Sequence, residues 1–130
     1  MLFRSRPPIK IAELAAEIDF KPGVDVGLVE TAGGVRSPLA HDGDTVTLIG
    51  TLKPDAVVLV ADAGLGTINA VLLSYAALAP VPTHVILNRF DAGSELHAAN
   101  RTWLADHFGL DVTVDVDVLA ASLSRRDRDP

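Results

Sequence analysis

The fold is decided by residues 56–69, which read AVVLVADAGLGTIN. The first six form a continuous apolar run that follows the turn pair Pro54-Asp55, and this pattern predicts a buried strand. An unbroken apolar run is typical of a strand in a parallel sheet that is covered on both faces. Two glycines then break the strand, and a helix is predicted from Thr67 to about Leu78, ahead of two prolines.

The same alternation continues on both sides of this stretch. Residues 26–29 (VGLV) predict a buried strand that ends in Glu30, and residues 84–87 (HVIL) predict another that ends at Asn88. A further helix is predicted over residues 9–18, and a half-exposed edge strand is predicted at Val112, Val114 and Val116. Another helix is predicted to be capped by Ser94 and closed by Gly109. Its apolar face consists of Leu96, Trp103, Leu104 and Phe108, with Asn100 as the polar exception. This order predicts an α/β fold, a parallel sheet with flanking helices.

Composition limits the function classes. With 130 residues, 48% of them hydrophobic, the chain suits one domain, predicted over residues 1–123 and followed by a charged flexible tail at 124–130. A formal net charge of -6 argues against nucleic acid or an anionic membrane as a partner. The absence of cysteine excludes disulfides and thiolate sites and fits a cytoplasmic location, and the longest apolar stretch is too short to cross a bilayer.

Three segments follow predicted strands. Ligands of open α/β sheets bind at the carboxyl ends of the strands, so Glu30 onward, residues 62–69 and residues 88–91 are predicted at one edge. A carboxylate at a strand end is suited to Mg²⁺, a hard cation that prefers oxygen ligands. The alternative interpretation of Glu30 is a plain strand end before a glycine-rich turn.

The other two segments also leave two interpretations open. Residues 62–69 match neither G-x-G-x-x-G nor the P-loop, and they form either an anion site at a helix start or a plain turn capped by Thr67. Asn88-Arg89-Phe90-Asp91 is similar to the base-reading N-K-x-D pattern, because an amide can pair with a purine edge while an arginine stem covers it. The alternative is a polar loop in which Asp91 starts a turn.

Taken together, three motifs resemble dethiobiotin synthetase: VETAGGVRSPL at 29–39, VLVADAGLGTIN at 58–69 and VILNRF at 85–90. The resemblance extends over residues 8–123. It implies the three-layer P-loop NTPase fold and a homodimer that acts in biotin synthesis. Such an enzyme closes the ureido ring of dethiobiotin from the diamino acid 7,8-diaminononanoate, CO₂ and Mg-ATP.

The resemblance also implies roles for individual residues. Glu30 corresponds to the family's catalytic Mg²⁺ ligand, and Asn88, followed by Arg89, corresponds to the adenine-reading Asn. The substrate carboxylate is received across the dimer interface by a helix start, which corresponds here to Gly66, Thr67, Ile68 and Asn69.

One family feature is missing from the sequence. The pattern G-x-x-x-x-G-K-[ST] does not occur, and the only lysines are Lys10, Lys21 and Lys53. The chain is therefore expected to match the C-terminal portion of such an enzyme, truncated at its N-terminal strand and P-loop, and to be inactive alone. The alternatives are a non-catalytic binding or dimerisation remnant of a P-loop NTPase, and another P-loop relative such as a cobyrinic acid amidating enzyme or a partitioning-type ATPase.

Overall fold

The computed structural model describes residues 7–125, and these divide into two units that separate between Pro54 and Asp55. The N-terminal unit holds two helices and a two-stranded antiparallel hairpin: α1 (Ile11–Glu17), β1 (Pro38–Ala40), β2 (Gly43–Asp44) and α2 (Thr45–Leu52). Among the described residues, no helix is both long enough and apolar enough to cross a membrane.

Two aspartates of the hairpin fix the helices of this unit. Asp42 Oδ1 accepts the Ile11 N–H at 2.8 Å, and Asp44 Oδ1 accepts the Thr47 N–H at 3.0 Å. The bond from Thr47 is the main reason that the pKa of Asp44 lies below its ordinary value, and the nearby Arg36 guanidinium lowers it further. Helix α2 begins at this cap and is not among the helices predicted from the sequence.

The prediction of a strand at residues 26–29 is wrong. This segment has no regular secondary structure, and Val26, Leu28 and Val29 are exposed. An apolar run becomes a strand only where a neighbouring strand pairs with its backbone, and within the described part of this unit the only pairing joins β1 to β2.

The C-terminal unit contains a parallel sheet of order β3-β4-β5 with flanking helices. Its elements are β3 (Val57–Asp62), α3 (Thr67–Leu78), β4 (Thr83–Asn88), α4 (Glu95–Thr102), β5 (Val112–Thr113) and α5 (Val116–Arg125). A π-helical turn over Trp103–His107 continues α4. The predicted α/β fold is thus confirmed, and it is consistent with a P-loop NTPase-like architecture.

The core of this unit lies between the sheet and helices α3 and α4. Its fully buried members come from β4, α3, the loop after β3 and the π-helical turn that continues α4: Ala63, Val71, Val85, Leu87 and Leu104. Each buried valine or leucine of this cluster contributes about 1.5–3 kcal/mol through burial. The core therefore fixes the strands whose carboxyl ends carry the polar loops.

The predicted apolar face of α4 is only partly correct. Leu104 is fully buried, but Leu96, Trp103 and Phe108 are exposed by 44%, 48% and 43%. The π-helical turn shifts the helical register at Trp103, whose ring stacks on His107 at a centroid distance of 4.5 Å.

The predicted edge strand is shorter than expected, because β5 has two residues and Val116 begins α5. Asp115 Oδ1 accepts the N–H groups of Asp117 and Val118 at 2.8 and 3.2 Å, so it starts a helix where alternation predicted a strand. Of the predicted tail, Ser124 lies in α5, and residues 126–130 lie outside the described residues.

Candidate functional site

The ends of β3 and β4 bring two polar segments together. Asp62 and Asn88 are register partners, and the Ala63 N–H donates to the Asn88 carbonyl at 3.3 Å. Arg89, whose φ of 56° lies in the left-handed region, forms an ion pair with Asp62 through Nη2. The structure therefore places residues 62–69 and 88–91 at one sheet edge, and the side chains of Asn88 and Arg89 are exposed there.

The Asp62 carboxylate is held in its ionised form. Its Oδ1 accepts the Gly64 N–H at 2.8 Å and its Oδ2 pairs with Arg89. The Gly64 N–H is the largest cause that lowers the pKa of Asp62, and the hydrogen bond and charge of Arg89 lower it further. A side chain at Gly64 would crowd this arrangement, because a Cβ there would lie 3.0 Å from Asp62 Oδ1.

This geometry makes a first prediction for Arg89→Gln. The substitution removes a cation but leaves the Gly64 N–H, so the pKa of Asp62 should rise only part of the way towards 3.8. Because the pKa is lowered in the folded state, the stability from Asp62 is complete above 3.8 and is lost as pH falls through the lowered value. Carboxyl ¹³C titration by NMR measures this shift. A full return to 3.8 would show that the Gly64 N–H contributes nothing.

The start of α3 lies beside this pair. Gly66 is the N-cap with φ of 86°, a conformation that favours glycine, and it offers no side chain to cap the helix. The Thr67 N–H donates to the Gly64 carbonyl at 3.3 Å, whereas Ile68 and Asn69 carry N–H groups that a helix start leaves without intrahelical partners. The Ile68 side chain packs on the core, and Asn69 is exposed.

Thr67 is buried, and its Oγ1 has no hydrogen-bond partner among the described residues. A buried hydroxyl without a partner is uncommon and calls for an explanation. The residue borders an open cavity of about 350 Å³ whose lining comes from β3, α3 and the loop between them: Leu59, Val60, Ala61, Asp62, Leu65, Gly66, Thr67, Ala70, Val71 and Ser74.

Two residues of α4 that were not predicted as site residues, Asn100 and His97, hold the loops of the site. Asn100 is buried, and its Nδ2 donates to the carbonyls of Ala63 and Gly64 at 2.9 Å each. His97, one turn earlier, accepts the Asp91 N–H on Nδ1 at 3.0 Å. A polar residue within an otherwise apolar helical pattern was the sequence signal for Asn100.

Glu30 lies in the N-terminal unit and is exposed in an irregular segment, not at the end of a strand. The segment that follows it is anchored within its own unit, because the Thr45 hydroxyl donates to Thr31 Oγ1 at 3.3 Å. Gly33 then adopts a φ of 82°, so the chain does turn sharply after Glu30.

Comparison with known proteins gives this edge a family context. The family model described as an AAA domain (AAA_26) matches residues 9–123, nearly the whole chain. The chain belongs to this family. Within it, the chain is similar to proteins named ATP-dependent dethiobiotin synthetase, which confirms the resemblance identified from the three motifs.

Three of these relatives show the extent of the match. The one from Mycobacteroides abscessus is 36% identical over 107 residues, 79% of this chain and 47% of its own length. The relative from Brachyspira hyodysenteriae is 29% identical over 82% of this chain and 50% of its own length. The one from Clostridium botulinum (strain Loch Maree) is 33% identical over 65% of this chain and 39% of its own length. This AAA-domain chain thus spans about half the length, or less, of the curated relatives it matches. No solved structure matches it.

Proposed function

We propose that the chain carries the nucleotide- and substrate-binding edge of an ATP-dependent ligase of the dethiobiotin synthetase type. Such a ligase forms the ureido ring of dethiobiotin from 7,8-diaminononanoate, CO₂ and Mg-ATP in biotin biosynthesis. The observation that carries the proposal is the juxtaposition of the Asn88-Arg89 loop and the start of α3 at the ends of two parallel strands. The family match over residues 9–123 supports it and supports a single domain over residues 1–123.

The start of α3 is suited to the substrate carboxylate. The N–H groups of Ile68 and Asn69 belong to the first turn, which a helix leaves without intrahelical partners, and the helix dipole favours an anion at this end. The unpartnered Thr67 hydroxyl would gain an acceptor from a bound carboxylate oxygen. Gly66, Thr67, Ile68 and Asn69 are therefore the proposed substrate-binding residues, in a homodimer whose two copies share the substrate.

Asn88 and Arg89 are the proposed nucleotide-binding residues. Both side chains are exposed at the strand end, where the Asn88 amide offers one acceptor and two donors to a base. Arg89 is held in place by Asp62, so its stem is already oriented when a base arrives.

Glu30 is the proposed catalytic metal ligand. Within the described residues no cluster of three or more candidate metal ligands occurs, and the role proposed for Glu30 needs one carboxylate. That fits Mg²⁺, which keeps several waters and is bound by one or two carboxylates together with phosphate oxygens. When bound, Mg²⁺ neutralises negative charge on the nucleotide phosphates. We also place this ligase in the cytoplasm, in line with the absence of cysteine.

The chain alone is proposed to bind but not to turn over its substrates. Its sequence contains no P-loop lysine, and phosphoryl transfer depends on such groups for positioning and charge stabilisation. The same absence favours the alternative function, a non-catalytic binding or dimerisation module derived from a P-loop NTPase.

Nucleotide and substrate titrations test the proposal. In ¹⁵N-labelled protein, Mg-ATP should shift the amides of Asn88 and Arg89, and 7,8-diaminononanoate should shift those of residues 66–69. Asn88→Ala should weaken Mg-ATP binding about tenfold in calorimetry, because a lost pair of hydrogen bonds is worth about 1.4 kcal/mol. Asn69→Ala, the same change at the substrate end, should leave Mg-ATP binding unchanged. Shifts with neither ligand would favour the dimerisation module.

The role of Glu30 has its own test. Glu30→Gln keeps the shape of the side chain but removes the charge, so added Mg²⁺ should no longer strengthen ATP binding. Asp25→Asn is the matched control, since Asp25 is another exposed carboxylate of the same irregular segment. An equal Mg²⁺ response in Glu30→Gln and the unmodified chain would contradict the metal role.

A further inference from the structure

His97 joins the two loops of the sheet edge. It lies on α4, and its Nδ1 accepts the backbone N–H of Asp91, the residue that ends the Asn88–Asp91 segment, at 3.0 Å. A ring nitrogen that accepts a hydrogen bond carries no hydrogen, so the imidazole in this arrangement is neutral and protonated on Nε2. The ring of Phe90 lies beside it, with a centroid distance of 5.9 Å.

The opposite edge of the His97 ring faces the other loop. The space beside Gly64 lies between this ring and Asp62. A Cβ placed on Gly64 would be 4.0 Å from His97 Nε2 and 3.0 Å from Asp62 Oδ1. Asp62 is bound to Arg89, which belongs to the Asn88–Asp91 segment. One imidazole thus borders the carboxylate of the first loop while it holds the backbone of the second.

A second proton on this ring would change both contacts. Nδ1 would become a donor and could no longer accept the Asp91 N–H, while the cationic ring would be drawn to Asp62 in competition with Arg89. The charged groups around the ring are Asp62 from the loop after β3, and Arg89 and Asp91 from the loop after β4. On α4 itself, Glu95 and Arg101 are the nearest charged residues in sequence.

We propose that His97 is a positioning residue that holds the Asn88–Asp91 segment in its ligand-binding conformation only while its ring is neutral. This inference rests on the proposed function in one respect, that the segment binds nucleotide. The coupling between the ring and the Asp91 backbone is a property of the unliganded protein. The two can therefore be tested separately.

The first test is a pH titration of the unliganded ¹⁵N-labelled protein from pH 8 to pH 5, where histidines titrate and most carboxyl groups do not. The Asp91 amide should shift with the same midpoint as the His97 ring. In His97→Asn, the side-chain oxygen can accept the Asp91 N–H in place of Nδ1 but does not titrate, so the Asp91 amide should lose this transition. In His97→Phe, which has no acceptor, it should resemble the low-pH form at every pH.

Two results would overturn the coupling. One is an Asp91 amide that does not respond at the midpoint of the His97 ring. The other is a transition of unchanged size in His97→Asn, which would assign it to another group, such as the buried His84.

The second test is Mg-ATP binding at pH 7.5 and pH 5.5. Loss of one hydrogen bond, about 1 kcal/mol, should weaken binding about fivefold at the lower pH in the unmodified chain but not in His97→Asn. Because ATP takes up protons equally in both samples, the difference between them isolates the ring. A coupled Asp91 amide without any ATP binding would contradict the nucleotide function alone, whereas equal pH dependence in both chains would contradict the positioning role.

Discussion

Leu87→Ala is expected to lower the free energy of unfolding of the C-terminal unit by about 2–5 kcal/mol. Leu87 lies in β4 with 1% of its side chain exposed and belongs to the buried cluster. The substitution removes transfer free energy and leaves a cavity that strands on both sides of β4 prevent from closing. Because such domains are stable by only about 5–15 kcal/mol, this change alone removes a large share of that stability.

Urea unfolding followed by tryptophan fluorescence measures the effect, since Trp103 is the only tryptophan and lies in the same unit. Leu73→Ala is the matched control: it is the same substitution on α3 at a side chain that is 67% exposed, and it should change the free energy by no more than about 0.5 kcal/mol. Equal losses for the two variants would contradict the assignment of Leu87 to the core.

The apolar runs of β3 and β4 both predicted buried strands, and both strands form, but only β4 is buried along its run. Strand β3 lies at the end of the order β3-β4-β5 and is half-buried, with Val60 61% exposed, so the burial predicted for it is wrong. A strand between two others, covered on its faces, needs apolar residues throughout, and residues 84–87 have them apart from His84. The end of helix α3 between these strands could also be predicted, because a residue that precedes a proline disfavours the helical conformation. Ala79 precedes a proline and leaves the helical conformation where α3 ends.

The run at residues 26–29 looks the same in sequence but forms no strand. What distinguishes it from residues 84–87 is pairing, which depends on residues distant in the chain and leaves no mark in the run itself. Helix α2 was missed for a different reason. Its sequence TVTLIGTL is rich in β-branched residues, which have weak helix propensity, and only the cap at Asp44 indicates the helix.

The sequence predicted which strand-end segments form the candidate site. It did not predict the side-chain contacts that hold these segments in place. Asp62, Asn88 and Arg89 follow apolar runs directly, so topology alone places them at one edge. The supporting residues lie on α4, and their partners are backbone groups of loops that no local pattern identifies. Of these supporting residues, only Asn100 could be recognised in the sequence, because it is a polar residue at a position whose spacing predicts burial.

Asn100→Leu is expected to lower the free energy of unfolding by about 2–3 kcal/mol and to loosen the loop before α3. The Asn100 amide donates to the carbonyls of Ala63 and Gly64, and leucine leaves both oxygens without this donor. A buried acceptor that loses its partner costs about 1–3 kcal/mol, and the Ala63 carbonyl is buried. Two adjacent carbonyls also fix the orientation of the amide, because only its nitrogen can donate to them.

Hydrogen exchange separates the local effect from the global one. In Asn100→Leu, the amides of Gly64 and Thr67 should exchange faster than those of β4, because the tether acts on the loop and not on the sheet. Asn69→Leu is the same change at an exposed position of α3 and should leave both stability and loop exchange near their original values. If Asn100→Leu left loop exchange unchanged, the start of α3 would be held by Gly64 and Asp62 alone. The substrate end of the proposed site would then be independent of α4, while the nucleotide end would still depend on it through His97.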